Sequence, residues 1–357
     1  MIYFHNDYHD MCHWKVLERM NALQDRPMPG YGEDPCCEQA TRKIKALCDR
    51  EDVAVHFLVG GTQTNLTVIS AALRPHQAAV GAETAHINVH ETGAIEATGH
   101  KVIALPSDDG KITAKQVDEL VQLHWASADH EHMAQPKLVY ISNPTELGTI
   151  YSLAELEALH GVCRKRGLYL YVDGARLGYG LTAGDNDVTL ADMARLCDVF
   201  YIGGTKCGAM FGEAVVITND VLKEDFRYLM KRHGGMLAKG WQLGIQFDAL
   251  FENDLYFTIS AHANRMADRI RDTLEELNVP ALAQCTTNQI FPILSDAFLE
   301  ELSKEFTFTE MHRVDEKHRA VRFCTSWATS EESVDALCTV MRKIAVSCKK
   351  EDANGTE

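Results

Sequence analysis

The sequence predicts an α/β protein, a mainly parallel sheet covered by helices, with a smaller α+β domain at the C-terminal end. Three observations predict it. Short apolar runs alternate with amphipathic ones over roughly the first 220 residues. Those runs are apolar on both faces, which fits strands covered by helices on each side. Beyond that point long helical stretches replace the alternation. In chain order the strand candidates are Ala54–Val59, Lys101–Leu105, Lys137–Ser142, Leu168–Asp173, Asp198–Gly203 and Ala214–Thr218. Helical stretches lie between them at Gln63–Leu73, Ile87–Glu96, Thr113–Trp125, Leu153–Arg166 and Leu190–Leu196. Ser152 and Glu155 have the spacing of a capping box for Leu153–Arg166. Strand–helix–strand repetition favours parallel pairing.

After these come helices at Asp220–Lys231, Trp241–Asn253 and Leu255–Leu277, then strands at Gln289–Leu294 and Ala320–Thr325. Glu331–Cys348 places Val334, Leu337, Cys338, Met341, Ile344 and Ala345 on one helical face. Pro280 marks a break, and the polar tail Lys349–Glu357 is expected to fray. The domain reading is an arm over 1–30, a large α/β domain over 31–250 and a small α+β domain over 251–357.

Composition excludes several function classes. Lys and Arg number 35 against 51 Asp and Glu, a net charge of −16. Such a chain repels nucleic-acid backbones and anionic lipid surfaces, so neither partner is expected. The 11 cysteines are scattered, without a C-x-x-C pair, as free thiols of a reducing compartment are. There is no long apolar run and no signal-peptide pattern at Met1–Asp7. A cytoplasmic location is expected. Gly178-Tyr-Gly180-Leu-Thr-Ala183 satisfies a dinucleotide spacing but does not open directly from a strand. Asp129-His-Glu-His132 reads as a polar surface loop, and no metal ligand set is expected.

The chemistry-bearing residues fall at strand ends, where open α/β sheets hold ligands. Gly60-Gly61-Thr62 follows the first strand and opens a helix, a place for a phosphate or for an ordinary turn. His86 begins a helical stretch, as a cap or as an aromatic plate. Asp173-Gly-Ala-Arg176 closes an apolar strand, so the Asp173 carboxylate needs Arg176 or a proton-bearing ligand as partner. Lys206 follows another apolar strand and Gly203-Gly204. It is there either one exposed lysine among 35 basic residues or an amine that desolvation would make nucleophilic toward an aldehyde.

This order of Gly-Thr, His, Asp-x-x-Arg and Thr-Lys resembles fold-type I enzymes that use pyridoxal 5′-phosphate (PLP). The resemblance is strongest to the threonine aldolase / β-eliminating lyase family, and runs from Asn6-Asp7 and Tyr31-Gly32-Glu33-Asp34 to Val321-Arg322. It implies that Lys206 carries PLP covalently, Asp173 holds the pyridine nitrogen, His86 stacks on the ring, and Gly61 and Thr62 bind phosphate. It further implies that Arg176 and Arg322, with Asn6, hold the substrate carboxylate. Tyr31 would reach the site of a neighbouring subunit in a homo-oligomer, a dimer or homotetramer. Two departures stand out. The loop Ser142–Gly148 lacks the family's histidine, so His86, Glu146 or a water is left as base. The family's cross-subunit phosphate-binding arginine has only Lys239 as its nearest cation. The implied reaction is cleavage of a β-hydroxy-α-amino acid to glycine and an aldehyde. The alternatives are β-elimination from an aromatic or sulfur amino acid, and a non-catalytic homologue.

Overall fold

A computed structural model describes the backbone of residues 1–354 and the side chains of residues 1–347. Its strands are β1 (Ile2–Tyr3), β2 (Ala54–Leu58), β3 (Gln77–Ala82), β4 (Lys101–Leu105), β5 (Gln135–Ser142), β6 (Tyr169–Asp173) and β7 (Val199–Gly203). Then follow β8 (Glu213–Ile217), β9 (Gln289–Ile290), β10 (Ile293–Ser295), β11 (Phe306–Thr307), β12 (Thr309–Arg313) and β13 (His318–Cys324). The main sheet has seven strands in the order β2-β8-β7-β6-β5-β3-β4. Parallel pairing joins β4, β3, β5, β6 and β7; β8 is antiparallel to both β7 and β2. The chain leaves β3 outward to β4 and returns to β5 on β3's other side. The strand order therefore reverses between β3 and β5, which opens a crevice at their C-terminal ends.

Residues of β3, β7 and β8 are buried throughout, as expected of strands covered by helices on both faces. The helix Leu153–Arg166 starts at the predicted capping box and stops at Gly167, in the left-handed region at φ 67°. Sequence pattern alone does not show β3. Gln77-Ala-Ala-Val-Gly-Ala82 has a single β-branched residue, and burial between β4 and β5 makes it a strand.

Other expectations are corrected at breaks. The stretch Ile87–Glu96 is two short helices, His86–Val89 and Ala94–Ala97, because Thr92 and Gly93 take positive φ between them. Asp220–Lys231 splits into Asp220–Lys223 and Phe226–Arg232 at Asp225, φ 56°. Gln289–Leu294 is interrupted at Pro292 and pairs as two strands, β9 and β10, against β13. The last helix runs on to Asn354, past the expected start of the tail, and residues 355–357 lie outside the described residues.

Two apolar cores follow one another along the helix Leu255–Glu276. Its first half gives Tyr256, Ile259 and Ala263 to the core around the seven-stranded sheet. Its second half gives Met266, Ile270 and Leu274 to a core with Phe306, Phe323 and Leu337. Phe4, carried in by β1 pairing with β11, belongs to this second core. No helix among the described residues is long and apolar enough to cross a membrane.

Close approach decides one position beside the candidate site. A Cβ on Gly174 would lie 1.8 Å from the Tyr201 carbonyl oxygen of β7, which is backbone and cannot swing away. Gly174→Ala is expected to lower unfolding free energy by about 3 kcal/mol or more, as measured by denaturant titration.

Candidate functional site

Strand alternation gathers a polar group on one face of an otherwise apolar sheet. Tyr171 and Asp173 are two apart on β6 and share a face. Tyr140 pairs with Tyr171 across β5 and β6, and Ser142 pairs with Asp173. Asp173 is 4% exposed, yet its carboxylate is well supplied with donors. Tyr140 donates to Oδ2 at 2.6 Å and Asn65 Nδ2 to the same oxygen at 3.1 Å. Tyr201 and the Ala175 N–H donate to Oδ1. Burial works against its charge, but the tyrosine hydrogen bonds outweigh it and hold the carboxyl below its usual range.

Asp173 forms part of the wall of a cavity of about 190 Å³ at the C-terminal ends of β2, β3, β5, β6 and β7. The cavity also receives Lys206, His86, Glu146 and Arg176, and the helix start Gly61-Thr62. Seven residues singled out from sequence thus meet there. The helix Gly61–Ala72 has no side-chain cap, so its first N–H groups remain available to an anion. Burial and the Arg176 charge lower the Lys206 ammonium pKa, with Asp7, Asp173 and Glu213 opposing. Glu213 opens β8, opposite Gly203, and is 3% exposed. It accepts from Gly204 N at 3.0 Å and Thr205 Oγ1 at 2.8 Å, and burial pushes its carboxyl up to about 8.

Glu146 is half-buried. Its Oε1 accepts from the His86 N–H at 2.9 Å and from Ser142 Oγ at 2.6 Å. Desolvation raises its pKa, with the nearby Asp173 charge adding to the rise. The loop after β5 thus turns this side chain back toward Ser142 at the strand's end.

Arg176 is already engaged. Its Nε donates to Asp7 Oδ2 at 2.7 Å and its Nη2 to Oδ1 at 3.0 Å. Asp7 is fully buried and also receives Asn288 Nδ2 at 2.9 Å. Asn288 in turn donates to the Thr325 carbonyl, so this ion pair fastens the N-terminal arm, the main sheet and the C-terminal part together. Burial opposes the Asp7 charge, but Arg176 and Lys206 hold its pKa down at about 2.

The remaining expected site residues lie outside this cavity of their own chain. Asn6 is buried and turns its Oδ1 to the Tyr8 N–H and His9. Arg322 is spread over long hydrogen bonds, 3.3 Å to Gln289 Oε1 and 3.3 Å to the His5 carbonyl, with Nε buried and unpaired. Tyr31 borders a separate cavity of about 580 Å³ beside the edge strand β2. Lys239 is exposed. Sequence reasoning missed Asp7 as the partner of Arg176, and missed Asn65, Glu91, Tyr140, Tyr201 and Glu213. The available signal was a polar tip or a charge inside apolar runs, which is also how ordinary half-buried residues look.

A family model described as Beta-eliminating lyase matches residues 17–297. A low specificity L-threonine aldolase of a Pseudomonas species is 29% identical over 349 residues, 95% of this chain and 96% of its own. The solved structure of Leishmania major threonine aldolase matches with a TM-score of 0.94 at 44% identity, covering 97% of this chain and 100% of that one. A Thermus thermophilus aspartate aminotransferase structure, at 14% identity and a TM-score of 0.72, covers 96% of this chain and 91% of that one and shares the fold.

Removing the Asp7 charge leaves Arg176 buried and unpaired. Asp7→Asn is expected to destabilise by about 3–5 kcal/mol near neutral pH. Asp7 has a depressed pKa in the folded state, so its stabilisation is present above the unfolded value of 3.8 and fades toward about 2. Over that window the gap between wild type and variant should narrow by about 2 kcal/mol. Paired denaturant titrations from pH 5 to pH 2 read it; a constant gap would dissociate Asp7 from the acid limb.

Proposed function

The chain belongs to the beta-eliminating lyase family, and we propose that it is a PLP-dependent lyase cleaving a threonine-like β-hydroxy-α-amino acid to glycine and an aldehyde. The observation that carries this reading is the meeting of Lys206 with Asp173 in one cavity, in a chain so similar to a solved threonine aldolase. The residues fit PLP. Lys206 presents an amine of lowered pKa, Asp173 an ionised carboxylate in the same cavity, and Gly61-Thr62 an uncapped helix start for the phosphate. PLP, when bound, supplies an aldehyde that condenses with amines and a ring that takes up the electron pair of a broken Cα–Cβ bond.

The side chains supply the rest. Lys206 would hold the cofactor through its amine. Asp173, kept ionised by Tyr140 and Tyr201, would hold a proton on the ring nitrogen. His86 would be the plate against the ring. Arg176, with Nε and Nη2 committed to Asp7, would offer Nη1 to the substrate carboxylate, whereas Arg322 and Asn6, outside the cavity, would have to turn toward it to complete that subsite. Glu146 accepts the β-hydroxyl proton. The His86 N–H and Ser142 fix one of its oxygens, and its raised pKa suits proton exchange nearer neutrality.

Tyr31 and Lys239 act on a neighbouring copy in a homo-oligomer, a dimer or dimer of dimers. The ten cysteines with described side chains are unpaired and nine are buried, which supports a cytoplasmic setting.

A panel of β-hydroxy and β-leaving-group amino acids separates the readings: glycine and aldehyde support aldol cleavage, pyruvate and ammonia support β-elimination. Lys206→Ala should abolish turnover and the visible band of the bound cofactor; a colourless wild type would instead point to a non-catalytic homologue. Glu146→Gln should lower kcat by about 10²–10⁴-fold and remove an ionisation from its pH profile. A change under about threefold in kcat/KM would remove Glu146 from the proton transfer.

A further inference from the structure

Glu91 stands out as a buried carboxylate that the proposed reaction does not use. It is 5% exposed and follows the short helix His86–Val89 and its cap His90, five residues beyond His86. His86 is the sole basic side chain within ion-pair distance of it among the described residues, with Nδ1 at 2.8 Å from Glu91 Oε1. The same oxygen accepts from Asn65 Nδ2 at 2.6 Å, and Oε2 is buried without a partner. Asn65 Nδ2 also donates to Asp173 Oδ2 at 3.1 Å, while Tyr171 donates to Asn65 Oδ1 at 2.6 Å. That last bond fixes the amide's orientation, because the flipped amide would turn its oxygen toward two carboxylates.

An apolar side chain of similar size would serve stability as well as this half-satisfied carboxylate does. A carboxylate on Nδ1 does what an apolar group cannot: it requires hydrogen on that nitrogen. We infer that Glu91 is a positioning residue that holds the His86 imidazole in the Nδ1–H form and, through Asn65, sets that ring relative to Asp173. His86 Nε2 is then the ring's acceptor nitrogen, and the ring's plane is tied to the carboxylate meant for the cofactor nitrogen. This rests on the site reading above, but its test does not need turnover.

Histidine ¹⁵N spectra at pH 8, before and after loading with PLP, read the tautomer directly, with His86 assigned by its loss in His86→Phe. In wild type Nδ1 should carry the hydrogen in both states. Glu91→Gln can keep an acceptor oxygen and should retain this form; Glu91→Leu removes the acceptor and should shift most of the population to Nε2–H. Absorbance titration should show PLP binding to Glu91→Leu weakened by about tenfold. Hydrogen on Nε2 in wild type, or an unchanged tautomer in a folded Glu91→Leu, overturns the inference. The wild-type spectrum alone decides if the leucine variant does not fold. A wild type that binds no PLP yet holds Nδ1–H would remove the lyase reading and leave this one standing.

Discussion

An ionised carboxylate with almost no access to water is the constraint around which this site is built. Burying Asp173 alone would be strongly unfavourable, and the molecule offsets it with donors rather than with a cation. Tyr140 and Tyr201 come from the strands on either side of β6, Ala175 from the turn after it, and Asn65 from a helix across the sheet's face. Each donor belongs to a different element, so the charge stays buried only while β5, β6, β7 and the helix Gly61–Ala72 keep their relative placement. That rigidity suits the role proposed for Asp173, facing the ring nitrogen of a bound cofactor.

The same logic extends outward by shared atoms. Asn65 divides its amide hydrogens between Asp173 and Glu91, and Glu91 divides one oxygen between Asn65 and His86. On the other side, Arg176 is held by Asp7, and Asp7 by Asn288. Arg176, proposed to hold a substrate carboxylate, is thereby fastened to the N-terminal arm and to the C-terminal part of the chain. Arm, sheet and second core cannot shift independently without disturbing the cavity. The chemistry and the packing share one hydrogen-bond framework.

Charge placement in the cavity also separates roles among similar groups. Asp173 is kept below the ordinary carboxylate range by direct donors, while Glu146 and Glu213 are raised by burial. One carboxylate is thus suited to hold a fixed charge and two to exchange a proton, a division set by surroundings rather than by residue type.

The sequence by itself determined the α/β class, most strands of the main sheet and the identity of Gly61, Thr62, Asp173 and Lys206 as strand-end residues. These are local facts: apolar runs, caps and turn residues act within a few positions of the chain. The strand β3 escaped, because alanine and glycine become a strand there only through burial between β4 and β5. With it escaped the reversal of strand order that places His86 and Glu146 beside one another. Asp7 with Arg176, and Asn65 with Glu91 and Asp173, join residues far apart in the chain. Which carboxylate meets the arginine and which meets the histidine depends on how the elements pack, and only the tertiary structure decided that.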